Sequence, residues 1–411
     1  MATRRHQLDH PDTWRPTQPL RSSRESAGTP RLAELDALRG MAAVAVVLSH
    51  FVSAFPPAAR PTWFLWMQRT PMAIAFTGRP AVMLFFVLSG VVLSLAYHKG
   101  RGGYGGFCVR RVFRIYPAYL ASMAAAFCGA ALLHHARVPG LSEWFNNQWQ
   151  EAPSAADVLG HASLIGVFSC GGYNNVVWSL THEMRLSLMF PLIALPVAVW
   201  NWRVVLLGAV ALSLAADGMQ RVAELSPLRD SVLLTLHFAA MFYTGAILAK
   251  HRKALTQWVS TIGALPQAGL MLLGVLLFTA VSWWPASAIL WRLPLLSDWT
   301  ATVGSGVFIV LALGAEPLRR ALQGPIVQHL GRISYSLYLL HLIVLQVMWS
   351  SFYGRSSTPL LILVTLSLDV LIASLAYYTI ETPLTGLGRR LTRGLRPATV
   401  RADPYPSPHP S

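Results

Sequence analysis

Residues 35–50 read LDALRGMAAVAVVLSH, and this stretch decides the fold. Between Arg39 and His50 the residues are apolar or glycine except for Ser49, a pattern typical of a helix that crosses a membrane. On a helix that rises about 1.5 Å per residue, His50 lies roughly 16 Å beyond Arg39. The stretch therefore predicts a span with a cation at its edge and a histidine near the bilayer midplane.

The composition of the whole chain gives the same answer. Of 411 residues only 12% are charged and 54% are apolar, and the mean hydropathy is +0.46. Ordinary globular proteins are about 25% charged and about 45–50% apolar, so a soluble protein is excluded. The formal net charge of +16 would suggest a nucleic-acid partner in a soluble protein, but in a membrane protein it reports topology.

The apolar stretches predict an all-α, polytopic membrane protein with about ten transmembrane helices. Polar residues 1–33 are expected to form a disordered basic tail, residues 34–385 the membrane domain, and residues 386–411 a polar C-terminal tail. The ten predicted spans are Ala37–Phe55, Ala81–Tyr97, Val112–Leu133, Leu186–Trp200, Val204–Asp217, Leu233–Ala249, Ala268–Trp284, Thr300–Ala315, Ile333–Trp349 and Leu360–Ile380.

The distribution of basic residues predicts the orientation of these spans. With ten spans, 24 Lys and Arg side chains fall on the side of the N-terminus and eight on the opposite side, with Arg185 unassigned. Because cytoplasmic loops carry the excess of basic residues, both termini are predicted to be cytoplasmic.

Several polar residues fall where lipid would penalise them, so they are candidates for function. The ninth span places His341 about 13 Å beyond Arg332, a depth similar to that of His50. Either histidine alone would be an ordinary core residue, but two at matching depth favour a site. We interpret His237, Asp217 and Asp369 as partners in hydrogen bonds between helices.

Two further polar clusters lie beside the spans. Arg111 and Arg114 share a helix face, and their guanidinium groups would bind phosphates or anchor lipid headgroups. Glu183 precedes the fourth span, where it would pair locally, end a wetted helix or, with His182, belong to an acceptor pocket that opens outward. A Glu183–Arg185 pair is disfavoured on a helix, because residues i and i+2 do not share a face.

The motifs resemble those of the membrane-bound acyltransferase family 3, whose members O-acylate cell-surface carbohydrates. The resemblance covers about residues 32–385. Its marks, in chain order, are Leu35-Asp36-x-Leu38-Arg39-Gly40 with Arg-x10-His ending at His50, Phe85-Phe86-Val87-Leu88-Ser89-Gly90, Arg111-x-x-Arg114-Ile115-Tyr116-Pro117, Trp178-Ser179-Leu180-x-x-Glu183, Gly331-x-Ile333-Ser334-Tyr335-x-Leu337-Tyr338-Leu339-x-His341 and Glu381-x-Pro383.

The resemblance implies an O-acyltransferase, most often an O-acetyltransferase, in a bacterial inner membrane. Its co-substrate would be cytoplasmic acyl-CoA, with no permanently bound cofactor, no metal and no nucleic-acid partner. Its other partners would be membrane lipids and a carbohydrate acceptor: a surface polysaccharide, a glycolipid or a small glycoside. The chain departs from the family pattern at residues 184–187, so the acceptor is left open.

The resemblance and the positions of the residues together suggest roles for six side chains. Arg39, Arg111 and Arg114 would hold the coenzyme phosphates at the cytoplasmic mouth. His50 would act as the base, with a transient acyl-enzyme as an alternative.

His341 would orient the acceptor or the acyl carbonyl, and Glu183 would bind a sugar hydroxyl from the outer side. Two other classes stay open at this stage. One is a carbohydrate exporter or flippase, and the other is a non-catalytic membrane scaffold.

Overall fold

The computed structural model describes residues 32–98, 103–133, 137–166, 172–222, 226–283, 290 and 293–394. Over these ranges the fold is all-α, without strands, as predicted. The described part contains eight helices long and apolar enough to cross a bilayer, or nine if one bent pair is a single span. The prediction of a polytopic helical membrane protein is confirmed. Residues 1–31 and 395–411, which include most of both predicted tails, and Cys170 lie outside the described residues.

Because the fourth predicted span is divided between two helices, the ten predicted spans overlap eleven helices. The described part of the chain has twelve helices of ten or more residues. These are α1 (Ala33–Ser53), α2 (Gly78–His98), α3 (Gly103–Leu133), α4 (Val177–Leu188), α5 (Phe190–Val199), α6 (Trp202–Val222), α7 (Pro227–Thr261), α8 (Ala264–Phe278), α9 (Pro294–Gly314), α10 (Pro325–Phe352), α11 (Thr358–Ala376) and α12 (Thr382–Leu391). Short helical turns at Pro57–Ala59, Thr62–Met67, Pro71–Phe76, Glu143–Asn146, Ala155–Ala162, Ala280–Ser282 and Glu316–Leu322 lie between them, and a π-helical turn at Tyr377–Glu381 joins α11 to α12.

The fourth span differs from its prediction in where it begins and in being broken. Its first helix, α4, begins at Val177 instead of Leu186, and α4 and α5 are bent by 57° at Met189. Pro191 has no amide hydrogen, which favours the start of a new helix at this point. Ser179, Glu183 and Ser187 therefore lie one turn apart on a single face of α4.

Helices α1 and α10 run parallel and touch backbone to backbone. A Cβ atom added to Gly40 would lie 2.5 Å from the Gly331 nitrogen, and one added to Gly331 would lie 2.5 Å from the Asp36 carbonyl oxygen. Small residues allow such close approach of helices in membranes. Further along both helices, the rings of Phe51 and Trp349 meet edge to face with centroids 5.9 Å apart. The two helices are thus held in a fixed register over several turns.

One network of charged groups lies inside the bundle, away from the contact between α1 and α10. Asp298 accepts two hydrogen bonds of 2.7 Å from Arg79. Nε2 of His237 lies 3.1 Å from Asp298, and its Nδ1 lies 2.8 Å from the Ser213 hydroxyl. The predicted interhelical role of His237 is therefore confirmed. It is wrong for Asp217, which binds Arg221 of its own helix, because that arginine lies one turn away.

Asp369 also departs from its predicted role. Its carboxyl group is buried, and neither of its oxygens has a hydrogen-bond partner among the described residues. The packing of α11 brings no donor to it, so the predicted interhelical hydrogen bond is wrong for this residue.

Replacement of either glycine at the α1–α10 crossing should destabilise the protein. We expect Gly331→Ala to lower the free energy of unfolding by about 1–3 kcal/mol, because its Cβ overlaps rigid backbone atoms. Denaturant unfolding of the purified protein in detergent measures this change. Gly208→Ala on α6 is the control, because open space surrounds Gly208 and alanine favours a helix. Equal stability of Gly331→Ala and the wild type would contradict the close packing.

Candidate active site

The fold brings His50 of α1 and His341 of α10 into direct contact. Nδ1 of His50 lies 2.8 Å from Nε2 of His341. The two ring planes differ by only 11°, yet the ring centroids are 5.1 Å apart. The rings therefore meet edge to edge, with the hydrogen bond lying near both planes. His50 is in the last turn of α1, whereas His341 is buried in the middle of α10.

The hydrogen-bond partners of the two rings assign their tautomers. Nδ1 of His341 lies 3.0 Å from the carbonyl oxygen of Leu337, which only accepts, so this nitrogen donates. In the neutral ring Nε2 of His341 is then an acceptor, and Nδ1 of His50 donates to it. Nε2 of His50 is left without a proton, and within the described residues it has no hydrogen-bond partner. The pair thus presents one basic nitrogen.

A short segment from the loop after α3 covers this pair at the end of α1. The ring of Trp144 stacks on His50 with centroids 5.1 Å apart and planes 12° apart. Ser142 fixes the segment to the end of α1, since its amide donates to the Ala54 carbonyl at 2.8 Å and its hydroxyl to the Ser53 carbonyl at 2.5 Å. Trp144 thereby restricts the plane of the His50 ring.

The far end of the same loop is also fixed. Nε1 of Trp149 donates to the Tyr173 carbonyl at 2.9 Å, and the Trp149 ring fills the space beside Gly129 of α3. Burial raises the pKa of Tyr173 to about 12, so its hydroxyl stays protonated and donates to Asp157 at 3.0 Å. The cover over the histidines is therefore held at both ends.

An open cavity lies among α1, α2, α3, α4 and α10. It collects all three predicted arginines, which come from two helices. Its lining residues are Arg39, Val82, Phe85, Phe86, Ser89, Arg111, Arg114, Ile115, Ser179, Leu180, Glu183, Ser334, Tyr335 and Tyr338. One side of the cavity is therefore basic and the other is largely aromatic and apolar.

The three arginines have different surroundings. Nη2 of Arg111 lies 2.5 Å from Oε1 of Glu183, and its Nε donates to the Ser187 hydroxyl at 2.9 Å. Arg39 faces Asp36 at 3.9 Å. Arg114 is exposed and makes no hydrogen bond within the described part of the chain. Arg111 is thus held inside the bundle, whereas Arg114 is open to an anion.

Glu183 lies among the arginines. Besides Arg111, it accepts a hydrogen bond of 3.1 Å from the Ser89 hydroxyl of α2. Its neighbour Arg185 is not its partner, and instead donates to the carbonyl oxygens of Ile165 and Gly166 and to Ser231. The sequence left open a local ion pair for Glu183. The structure contradicts it, because the partners of Glu183 lie on two other helices.

The cavity ends near the histidine pair at two hydroxyl groups. The Ser179 hydroxyl lies 2.7 Å from the Tyr338 hydroxyl, and both groups line the cavity. The Tyr338 ring centroid is 6.2 Å from that of His341, one turn further along α10. Through Tyr338, the cavity that holds the arginines therefore comes within one helical turn of His341.

The sequence singled out six residues for this site, and the structure places them in two neighbouring groups. His50 and His341 touch, while Arg39, Arg111, Arg114 and Glu183 share the cavity. Trp144 and the Ser179–Tyr338 hydroxyl pair were not predicted from the sequence. Ser179 and Tyr338 do lie within quoted motifs, whereas no spacing rule connects Trp144 to His50.

Comparison with known proteins gives two matches. The family model described as "Acyltransferase domain" matches residues 32–379. The protein named acyltransferase MdmB, from Streptomyces mycarofaciens, is 24% identical over 401 residues, which cover 91% of this chain and 96% of that protein. No solved structure matches the chain.

The Arg111–Glu183 pair should be important for stability. We expect Glu183→Ala to reduce the free energy of unfolding by about 3 kcal/mol, because it leaves the buried guanidinium group of Arg111 without its carboxylate. The double replacement Arg111→Met with Glu183→Met should recover much of this loss.

Denaturant unfolding in detergent measures both effects. The exposed contacts of Glu316 with Arg319 and Arg320 are the control, and the Glu316→Ala variant should lose far less stability than Glu183→Ala. A loss for Glu183→Ala as small as the control's would contradict a buried ion pair.

Proposed function

The chain belongs to the acyltransferase domain family and is an acyltransferase, and from this premise we propose its reaction. It moves an acyl group, most often acetyl, from cytoplasmic acyl-CoA to a hydroxyl group of a surface or lipid-linked carbohydrate. The observation that carries the proposal is the unprotonated Nε2 of His50, beside a cavity with three arginines. A base and an anion site are the two features that such a transfer needs.

The basic side of the cavity binds the coenzyme phosphates in this proposal. Arg114 and Arg39 make the direct contacts, because Arg111 is already held by Glu183 and Ser187. Guanidinium groups bind phosphate through two parallel hydrogen bonds. The apolar wall formed by Val82, Phe85 and Phe86 suits the pantetheine arm, which leads the thioester toward the histidines.

His50 is the general base. Its Nε2 takes the proton of the acceptor hydroxyl as the oxygen attacks the thioester carbon. Collapse of the tetrahedral intermediate breaks the carbon–sulfur bond, and the departing thiolate takes the proton back from His50. The product ester and coenzyme A then leave, with atoms and charges balanced and no acyl-enzyme required.

His341 and Glu183 are positioning residues in this scheme. His341 accepts the Nδ1 hydrogen of His50, and this hydrogen bond strengthens when His50 becomes positively charged. Glu183 fixes Arg111, which helps to shape the anion site. The sequence suggested a sugar-binding role for Glu183, but its contacts with Arg111 and Ser89 support this positioning role better.

The protein is proposed to lie in the bacterial inner membrane with both termini cytoplasmic. The excess of basic residues on the N-terminal side supports this orientation. The arginines of the cavity then face the compartment that contains acyl-CoA.

Replacement of His50 should abolish the transfer but leave donor binding intact. We expect His50→Ala to lower kcat roughly 10²–10⁴-fold, because the general base is lost. Release of free coenzyme A by the purified protein, in the presence of an acceptor, measures the rate. His329→Ala on α10 is the control, because His329 contacts Ser374 and lies outside the cavity. Full activity of His50→Ala would refute the assignment, and absence of coenzyme A release by the wild type would favour an exporter.

Replacement of Arg114 or Arg39 should weaken donor binding. We expect Arg114→Ala and Arg39→Ala each to raise the KM for acyl-CoA roughly tenfold or more, because a charged hydrogen bond to phosphate is lost. Arg110→Ala on the same helix is the control, since Arg110 does not line the cavity. Steady-state kinetics with varied acyl-CoA measures the effect, and an unchanged KM in both variants would contradict the phosphate site.

A further inference from the structure

The hydroxyl groups of Ser179 and Tyr338 stand where the arginine cavity approaches the histidine pair. Their oxygens are 2.7 Å apart, and both side chains line the cavity although both residues are buried. Tyr338 lies one turn before His341 on α10, and Ser179 lies one turn before Glu183 on α4. The pair therefore lies between the groups proposed to hold the phosphates and the group proposed to remove the proton.

Acyl transfer from a thioester also requires a group that stabilises negative charge on the carbonyl oxygen. When the acceptor oxygen attacks, the carbonyl oxygen of the thioester becomes an oxyanion. Enzymes stabilise this charge with fixed hydrogen-bond donors in a site that excludes water. Nε2 of His50 takes a proton, and the arginines are assigned to the coenzyme phosphates, so neither supplies such a donor.

The two hydroxyl groups share one backbone acceptor. The Val176 carbonyl oxygen lies 3.2 Å from the Ser179 hydroxyl and 3.1 Å from the Tyr338 hydroxyl. Because both hydroxyls reach the same acceptor, Ser179 alone can satisfy it. The Tyr338 proton can then point to a ligand without leaving the Val176 carbonyl unpaired.

We propose that Tyr338, supported by Ser179, donates the hydrogen bond that stabilises the thioester oxyanion. Tyr338 is a catalytic residue in this proposal and Ser179 is a positioning residue, and the inference rests on the proposed acyl transfer. As the acceptor oxygen bonds to the carbonyl carbon, the π electrons move to the carbonyl oxygen, which accepts the Tyr338 hydrogen bond. When the carbon–sulfur bond breaks, the carbonyl reforms and the Tyr338 proton returns to its partners.

The other tyrosine of this cavity has a different environment. The hydroxyl of Tyr335 donates to the Ile115 carbonyl at 2.8 Å, and the structure shows no second hydroxyl sharing that acceptor in the described residues. Its proton is needed to satisfy a buried carbonyl. Tyr338 is therefore the better donor.

The test compares kcat with donor affinity in purified protein. We expect Tyr338→Phe to lower kcat about 10²–10³-fold, the loss measured when one oxyanion donor is removed. The Kd for a nonhydrolysable acyl-CoA thioether should stay within twofold of the wild type. The control is Tyr243→Phe on α7, because it also removes a tyrosine hydrogen bond to a backbone carbonyl, that of Leu192, outside the cavity.

A second variant separates catalysis from packing. Incorporation of 3-fluorotyrosine at position 338 keeps the ring and the hydroxyl but makes the hydroxyl more acidic. An oxyanion donor predicts that kcat shifts by roughly twofold or more with that acidity, whereas a structural hydrogen bond predicts no change.

The outcomes separate this inference from the proposed function. If the wild type transfers acyl groups and Tyr338→Phe retains its kcat, the oxyanion role is refuted and the proposed function stands. If Tyr338→Phe is unstable, the fluorotyrosine protein decides, and an unchanged kcat there also refutes the role. If the wild type releases no coenzyme A with any carbohydrate acceptor, the proposed function itself fails.

Discussion

The contact between Gly40 and Gly331 is the constraint on which the site depends. Because neither residue has a Cβ atom, the backbones of α1 and α10 meet directly. Ten residues further along each helix, the side chains of His50 and His341 reach one another at 2.8 Å. A larger residue at the crossing would push the helices apart, and a hydrogen bond of this length does not tolerate such a shift.

Helix α10 organises the rest of the site around that crossing. Tyr335, Tyr338 and His341 follow one another at nearly one turn each, and they contact α3, α4 and α1 in that order. The Arg111–Glu183 pair joins α3 to α4 on the cavity side. Buried ion pairs add little net stability but are costly to break, so this pair serves more to fix geometry than to strengthen the fold. Tyr338 thus lines the cavity that holds the arginines and lies one turn from His341.

Much of the architecture was predictable because lipid imposes a simple rule on sequence. A span needs about 20 apolar residues, so hydropathy located the eight described helices that are long and apolar enough to cross a bilayer. The rule failed for α4, because Thr181, His182, Glu183 and Arg185 lower the hydropathy of that helix. Within the fold, His182, Glu183 and Arg185 find partners on other helices. Helical rise likewise predicted similar depths for His50 and His341. Their contact needs the glycine crossing, which depth alone does not reveal.

The candidate site was predictable in its members but not in its pairings. Arg111 and Glu183 are 72 residues apart, and no local pattern links them. Trp144 lies in a loop, and the path of this loop over His50 is set by the hydrogen bond from Ser142 to the last residue of α1. The central claim is that His341 directs the Nδ1 hydrogen of His50 and leaves its Nε2 basic. Nitrogen-15 NMR of histidine-labelled protein in membrane mimetics tests it most directly. This pair of tautomers predicts protonated Nδ1 in both neutral rings and a scalar coupling between His50 Nδ1 and His341 Nε2. A proton on Nε2 of neutral His50, without that coupling, would contradict it.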